Sequence, residues 1–487
     1  MSFNSLTYLI FLALVVPLYW ILPRRPRLAL IFLAGVIFYG FWRFDFLGIL
    51  FFSITFDYFS AIVIADAKSD KLRKSFLVAS ILVNLSLIAF FKYFYFIEGT
   101  AIGVASIFGL KVDPVLIDIV LPIGISFYTF HSMSYIVDVY RKHIQPTRDF
   151  MLFVDYVIFF PQLVAGPILR AGEMLWQLTE RAPFRFEVFQ AGIARISIGL
   201  FLKVCIADNI AYHVNQAFAL NPSQLSALDV LTSGFLFGFQ IYFDFAAYSH
   251  IAIGSALLLG IKFPENFNFP YNSTSPRVFW RRWHISLSSW IRDYVYLPLA
   301  GVKVNDRMST GGIGIDGTGQ SGGRSFLLAL FATWAIMGLW HGAAWTFVLW
   351  GLWHAGMVAT HRLIAPHLAR FEGPTLAVAG WATTLLFVMI GWIPFRAPSL
   401  DYTIKAWSRL LDPAGYTMLN LRETTYIIAA TALIGTIAAP FAYRWLEKLQ
   451  DRMPVAARAI VAPGWVAIMT ATFVYLRPLD QFIYFQF

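Results

Sequence analysis

Long apolar runs separated by short basic or glycine-rich loops set the pattern of this chain. A helix needs about 20 predominantly apolar residues to cross a bilayer. Runs of roughly that kind fall at 5–22, 28–42, 46–65, 76–97, 115–137, 150–168, 190–212, 228–262, 325–361, 375–396, 426–446 and 459–476. Two of them, 228–262 and 325–361, are long enough for a second span or a strongly tilted helix. Pro161, Gly166 and Pro167 interrupt 150–168 and predict a re-entrant or broken element lining a cavity. The pattern predicts an all-α polytopic membrane protein with about 11–13 transmembrane helices plus interfacial or re-entrant helices.

Composition agrees. Of the 487 residues 59% are hydrophobic and only 13% charged, with a mean hydropathy of +0.66; a soluble domain is usually about a quarter charged. The net charge of +10 needs no nucleic acid, because membrane proteins collect Lys and Arg in cytoplasmic loops. No nucleic-acid-binding motif is present, so none is expected as a partner. Cys205 is the only cysteine, which excludes an intrachain disulfide and a cysteine-rich metal site. The first run lacks a basic lead-in and a small-residue cleavage site, and reads as a retained span.

Loop charge predicts orientation. Arg24, Arg25 and Arg27 follow the first run, placing that loop in the cytoplasm and the N-terminus outside. Lys68, Lys71, Arg73 and Lys74 recur two spans later, and Arg141, Lys142 and Arg148 two spans after that. The loop 263–324 holds Arg277, Arg281, Arg282, Arg292, Lys303, Arg307 and Arg324. With 325–361 as a helical pair, Arg362 and Arg370 return to the cytoplasm. Arg444, Lys448, Arg452 and Arg458 then mark the last inner loop and put the C-terminus outside. The glycines of GGIGIDGTGQSGG (311–323) include a GxGxxG at Gly312, Gly314 and Gly317. A dinucleotide fingerprint needs a strand before it and a helix after it in a soluble βαβ unit, so this match reads as chance.

Two of the nine histidines stand out. His341 lies near the middle of 325–361, a run with no Asp, Glu, Lys or Arg. An ionisable group at that depth is a functional candidate, and desolvation favours the neutral imidazole that a general base needs. Gly338 and Gly342 flank it and allow a bend or a close backbone approach. The alternative is a hydrogen bond between helices. His284 lies in VFWRRWHISLSSWIRDYVYLPL. Read as one helix, this segment puts Trp280, Trp283, His284, Leu287, Ile291 and Tyr294 on one face, with Arg281, Arg282 and Arg292 mostly on others, as in an interfacial amphipathic helix. Arg281 and Arg282 could meet the phosphates of a nucleotide-bearing donor or anionic lipid headgroups.

WRRWHISLSSWIRDYVYLPL, followed by GLWHGAAWTFVLWGLWHA, resembles the paired signature of the membrane-bound O-acyltransferases, in their bacterial polysaccharide-acylating branch. LPIGISFYTFHSMSYIVDVYR (121–141), FFPQLVAGPILR (159–170) and QIYFDFAAYSHIAIGSALLLGI (240–261) agree with it. The resemblance implies a single membrane domain in a bacterial inner membrane. Its parts would be N-terminal spans (1–148), a core (149–361) containing the cytoplasmic amphipathic segment 263–324, C-terminal spans (362–476) and a periplasmic tail (477–487). Two opposed funnels would meet at a thin waist, with His341 as the active-site histidine and His284 as a second polar position. No metal or bound cofactor is implied. The donor would be acetyl-CoA or a phosphopantetheine carrier protein, and the partners membrane lipid, a periplasmic acyltransferase and an extracytoplasmic polysaccharide. The ending DQFIYFQF matches a short Phe-x-Tyr-x-x-Phe pattern through Phe482, Tyr484 and Phe487, and makes Tyr484 a candidate acyl relay; an aromatic interfacial anchor is the other reading. The loop after Leu299, longer and richer in glycine than the branch's short basic loop, departs from the pattern. A transporter or flippase is the competing class, with Asp57, Asp118, Asp138 and Asp244 the carboxylates to watch, although no inverted repeat is evident. A passive structural subunit of a polymer export complex is a third possibility.

Overall fold

The computed structural model describes residues 1–302, 324–368, 370, 373–475 and 482–483. Among them the regular structure is entirely helical. Among the described residues six helices are long and apolar enough to cross a membrane: Phe44–Asp66, Asp70–Ile107, Phe186–Ala219, Ala227–Leu258, Pro374–Arg396 and Glu423–Leu449. Three shorter apolar helices, Leu6–Ile21, Phe326–His341 and Ile460–Tyr475, accompany them. The all-α polytopic reading holds, and the difference from 11–13 spans has local causes. The run 115–137 is helical only from Ile125, because Pro114 precedes it and Pro122 interrupts its first part. The run 150–168 is a short helix followed by irregular chain, the broken element that its prolines predict. The run 325–361 is a helical pair, whereas 228–262 is one long helix.

The chain divides into two compact units, residues 1–195 with 252–264, and residues 196–251 with 265–487. The first opens with α1 (Leu6–Ile21), α2 (Arg24–Gly40), α3 (Leu47–Asp66), α4 (Asp70–Ile88) and α5 (Phe94–Ile107), and continues with α6 (Ile125–Tyr140), α7 (Phe150–Ile158) and α8 (Ala171–Thr179). The Ser5 side chain caps α1 by accepting the Tyr8 N–H. α3 and α4 are tied by a buried polar cluster, in which Ser80 Oγ and Asn84 Nδ2 donate to Asp57 at 2.6 and 3.0 Å. Among the watched carboxylates Asp57 is thus a satisfied structural group, Asp118 is exposed, and Asp138 is buried beside His143. Gly124, at φ +77°, starts α6 against the 159–170 segment: a Cβ there would lie 2.7 Å from the Leu163 carbonyl oxygen. Tyr156 holds that segment by donating its hydroxyl to the Leu169 carbonyl at 3.0 Å. Leu14, Leu33, Leu82 and Ile97 are exposed, as lipid-facing residues are.

The chain continues through α9 (Phe186–Phe201), a π turn at Leu202–Ala207, α10 (Asp208–Ala219) and α11 (Ala227–Leu258). The second unit then holds the short helices α12 (Pro276–Trp280), α13 (Ile285–Ile291) and α14 (Leu297–Leu299). It ends with α15 (Arg324–His341), α16 (Trp345–Leu368), α17 (Pro374–Arg396), α18 (Leu400–Arg409), α19 (Glu423–Arg452) and α20 (Pro454–Tyr475). Small residues let its helices touch backbone to backbone, the usual way apolar helices associate in lipid. A Cβ at Gly338 would lie 2.2 Å from the Phe347 carbonyl oxygen, and one at Gly351 2.1 Å from that of Trp334, so α15 and α16 form a hairpin in direct contact. Gly234 of α11 meets the Met389 carbonyl of α17 in the same way, and Gly238 lies against the Met389 sulfur.

Candidate active site

His341 is the last residue of α15 and lies in the buried interior of the second unit. It leads into the turn Gly342–Ala344, after which α16 runs back along α15. The imidazole is packed among aromatic rings, with centroids of Trp340 at 4.7 Å, Trp350 at 4.9 Å and Phe395 at 5.2 Å. Gly342 is required here, because a Cβ would fall 2.0 Å from the Phe347 ring. The expected close backbone approach is met at Gly338, whereas Gly342 makes room for a side-chain ring.

His284 comes into the same aromatic assembly from another part of the chain. Its ring is 6.3 Å from Trp340 and meets Phe245 of α11 edge-on at 4.6 Å. Both histidines therefore contact one indole, that of Trp340. Burial pushes the His284 imidazole down from its ordinary 6.5 to about 3, so it is neutral at physiological pH.

The single amphipathic helix expected around His284 is not formed. α12 ends at Trp280 and α13 begins at Ile285, with His284 between them in the left-handed region at φ +40°, ψ +58°. Such a conformation costs a non-glycine residue about 1–2 kcal/mol, and competing hydrogen bonds offset it. Asn266 accepts the Ile285 N–H on its backbone carbonyl at 3.0 Å and the Ser286 hydroxyl on Oδ1 at 2.7 Å. Its Nδ2 donates to Ser249 Oγ at 3.1 Å. The Arg282 carbonyl accepts from Asn268 N at 3.0 Å. These bonds to residues outside the segment turn the chain at His284 where helical periodicity would have continued it. Trp280, Trp283, His284, Leu287 and Ile291 are all buried as a result, and do not form one face at a water–lipid boundary. Arg281 is exposed and Arg282 half-buried, its guanidinium 3.4 Å from the Asn272 carbonyl.

Other features of the site were less legible. His354 is fully buried one turn after Trp350, which stands between it and His341 with ring separations of 5.0 and 4.9 Å. Trp280 and Trp334 lie against it at 5.0 and 5.7 Å. An imidazole within an uncharged aromatic run gives the same sequence signal as His341. Lys203, within the apolar run 190–212, was not singled out although a lysine at such depth is the usual marker of function. It is buried and pairs at 2.8 Å with both Asp208 and Asp244, so Asp244, the fourth watched carboxylate, is half of an ion pair. Tyr484 and Phe487, like the GxGxxG at 312–317, lie outside the described residues.

Residues 138–313 match the model of the membrane-bound O-acyltransferase family. The chain is 37% identical to a probable alginate O-acetylase of Azotobacter vinelandii over 442 residues, covering 90% of this chain and 84% of the relative. It is 32% identical to a peptidoglycan O-acetyltransferase of Helicobacter pylori, covering 82% and 76%. A teichoic acid D-alanyltransferase of Bacillus subtilis is 29% identical over 55% of this chain and 65% of its own. With identity sustained over nearly the full length of the alginate relative, this chain belongs to the membrane-bound O-acyltransferase family and is an O-acyltransferase.

Proposed function

We propose that the protein transfers an acetyl group from acetyl-CoA in the cytoplasm to a hydroxyl outside the membrane, for O-acetylation of an extracytoplasmic polysaccharide at a bacterial inner membrane. The observation that carries this reading is the convergence of His341 and His284 on the Trp340 indole within a buried aromatic interior. The named relatives act on alginate, peptidoglycan and teichoic acid, which favours a polysaccharide as final acceptor.

The chemistry follows from a base held in a dry, ordered site. His341 accepts the proton of the attacking hydroxyl on one ring nitrogen. The oxygen adds to the thioester carbonyl, the intermediate collapses, and the thiolate leaves with the proton returned by His341. Products are an ester and a free thiol. Holding donor and acceptor together beside the base supplies the proximity term, and only the acyl group need cross the waist. His284 serves as the second, neutral polar group, and Arg281 and Arg282 attract the donor's phosphates. A phosphopantetheine carrier protein is the alternative donor. Tyr484 is the candidate first acceptor: its phenyl ester has a good leaving group and would pass the acetyl to a periplasmic acyltransferase. Both termini are periplasmic on the loop-charge reading.

The test uses the full-length protein in nanodiscs with radiolabelled acetyl-CoA, comparing wild type, His341→Ala and Tyr484→Phe. Label on wild type alone supports transfer through His341 to Tyr484. Label on Tyr484→Phe but not on His341→Ala removes the relay and keeps the base. Undiminished transfer by a correctly inserted His341→Ala overturns the assignment.

A further inference from the structure

The residues Phe482 and Ile483 are buried in the second unit, against the Lys203 ion pairs. The Ile483 backbone N–H donates to Asp244 Oδ2 at 2.8 Å. The Phe482 ring covers the Lys203 ammonium, with Nζ 4.6 Å from its centroid. The same ring meets Tyr248 edge-on at 5.1 Å. Asp244 and Tyr248 are four residues apart on α11 and so share one face of it.

The receiving surface has the form of a binding site. Among the described residues the carboxylates of Asp208 and Asp244 face the Lys203 ammonium, and a carboxylate oxygen is a strong acceptor for a peptide N–H. The ammonium in turn attracts the face of an aromatic ring. Lys203 projects from the π turn Leu202–Ala207, a distortion frequent at functional sites. An aromatic residue followed by a backbone N–H satisfies both halves at once, and Phe482–Ile483 supplies that pair. One helix serves both places: Phe245, next to Asp244 in the sequence of α11, lies against His284.

We propose that Lys203 and Asp244, with Asp208, form a docking socket for the Phe482–Ile483 segment, and that they are positioning residues for acyl transfer because they fix where the residues after Ile483 can reach. The docking stands independently; the positioning role rests on the reading that transfer occurs at His341 and passes through Tyr484.

Docking is tested in full-length protein in nanodiscs, in a Cys205→Ser background with Ile483→Cys as the reporter, since Cys205 is the only native thiol. N-ethylmaleimide should label the introduced thiol slowly in this parent. Lys203→Met or Asp244→Asn should speed labelling at least tenfold, as loss of a contact to a charged group shifts such equilibria by about 10–100-fold. Lys203→Arg, which keeps the charge, should restore most of the protection, separating docking from general loss of fold. Equal labelling in parent and variants, fast or slow, overturns the socket. Positioning is tested with Ile483→Pro, which removes the donated N–H and leaves all three socket side chains in place. Its acetyl transfer should fall about 10–100-fold with the KM for acetyl-CoA unchanged, on the same hydrogen-bond scale. Full transfer by Ile483→Pro overturns positioning while leaving docking in place. Full transfer by Tyr484→Phe or His341→Ala, with protection of the reporter thiol intact, instead overturns the transfer reading and spares the socket.

Discussion

Replacing Gly342 by Ala tests how closely the turn after His341 controls the histidine. The added Cβ would lie 2.0, 2.4 and 2.5 Å from Cε2, Cδ2 and Cζ of Phe347, where ordinary contact begins near 3.4 Å. Phe347 has little room to retreat, because its ring is 4.9 Å from that of Phe395, which is itself 5.2 Å from His341. Either the turn opens or the push travels through Phe395 to the imidazole. Overpacking of this kind costs about 1–3 kcal/mol, and a displacement of about 1 Å at a reacting group costs about 10²-fold in rate. We expect Gly342→Ala to insert, to melt at a lower temperature in detergent, and to lose about 10²-fold in acetyl transfer on that basis. Gly356→Ala is the control: it lies on α16, and beyond its own turn of helix nothing comes within 4 Å of its Cβ position. It should gain up to about 1 kcal/mol from helix propensity and keep full activity. Wild-type turnover by Gly342→Ala would refute the reasoning, as would an equal loss in Gly356→Ala.

Two further outcomes follow from the turn at His284. Asn266→Ala removes the bonds to Ser249, Ser286 N and Ser286 Oγ, and should cost about 2–4 kcal/mol of stability at roughly 1 kcal/mol each. Calorimetric melting in detergent measures it, and an unchanged midpoint would show that the left-handed turn is held otherwise. The neutral His284 sets a pH dependence. In the unfolded chain the ring binds a proton below its ordinary 6.5, whereas the folded site resists protonation until about 3. Stability should therefore fall as pH drops through that window, with a slope of up to about 1.4 kcal/mol per unit from this group. His284→Gln should flatten the acid limb of the melting curve, and parallel limbs would contradict the burial argument.

Much of this protein was readable without coordinates. An apolar surplus with few charges leaves lipid as the only adequate solvent, so the all-α membrane class followed from composition and run length. The break in 150–168 was visible in its prolines, but length left 325–361 and 228–262 alike open between one helix and two, and only the first is a hairpin. His341 could be singled out because an ionisable group in an uncharged run is expensive to keep. His284 was a candidate on the sequence, but its conformation was not legible there. Periodicity sees only neighbours along the chain, and the helix stops there because Asn266, eighteen residues away, offers better hydrogen bonds. The convergence of His284 and His341 on Trp340 is likewise a long-range packing result. The ion pairs of Lys203 depended on tertiary structure in the same way: the lysine was visible in the sequence, but its partners Asp208 and Asp244, the second 41 residues distant, are brought to it only by folding. The docking of Phe482 and Ile483 beside them was beyond any local signal, since it joins residues 239 positions apart. Sequence determined which groups are costly to bury; tertiary structure decided which partners make their burial tolerable.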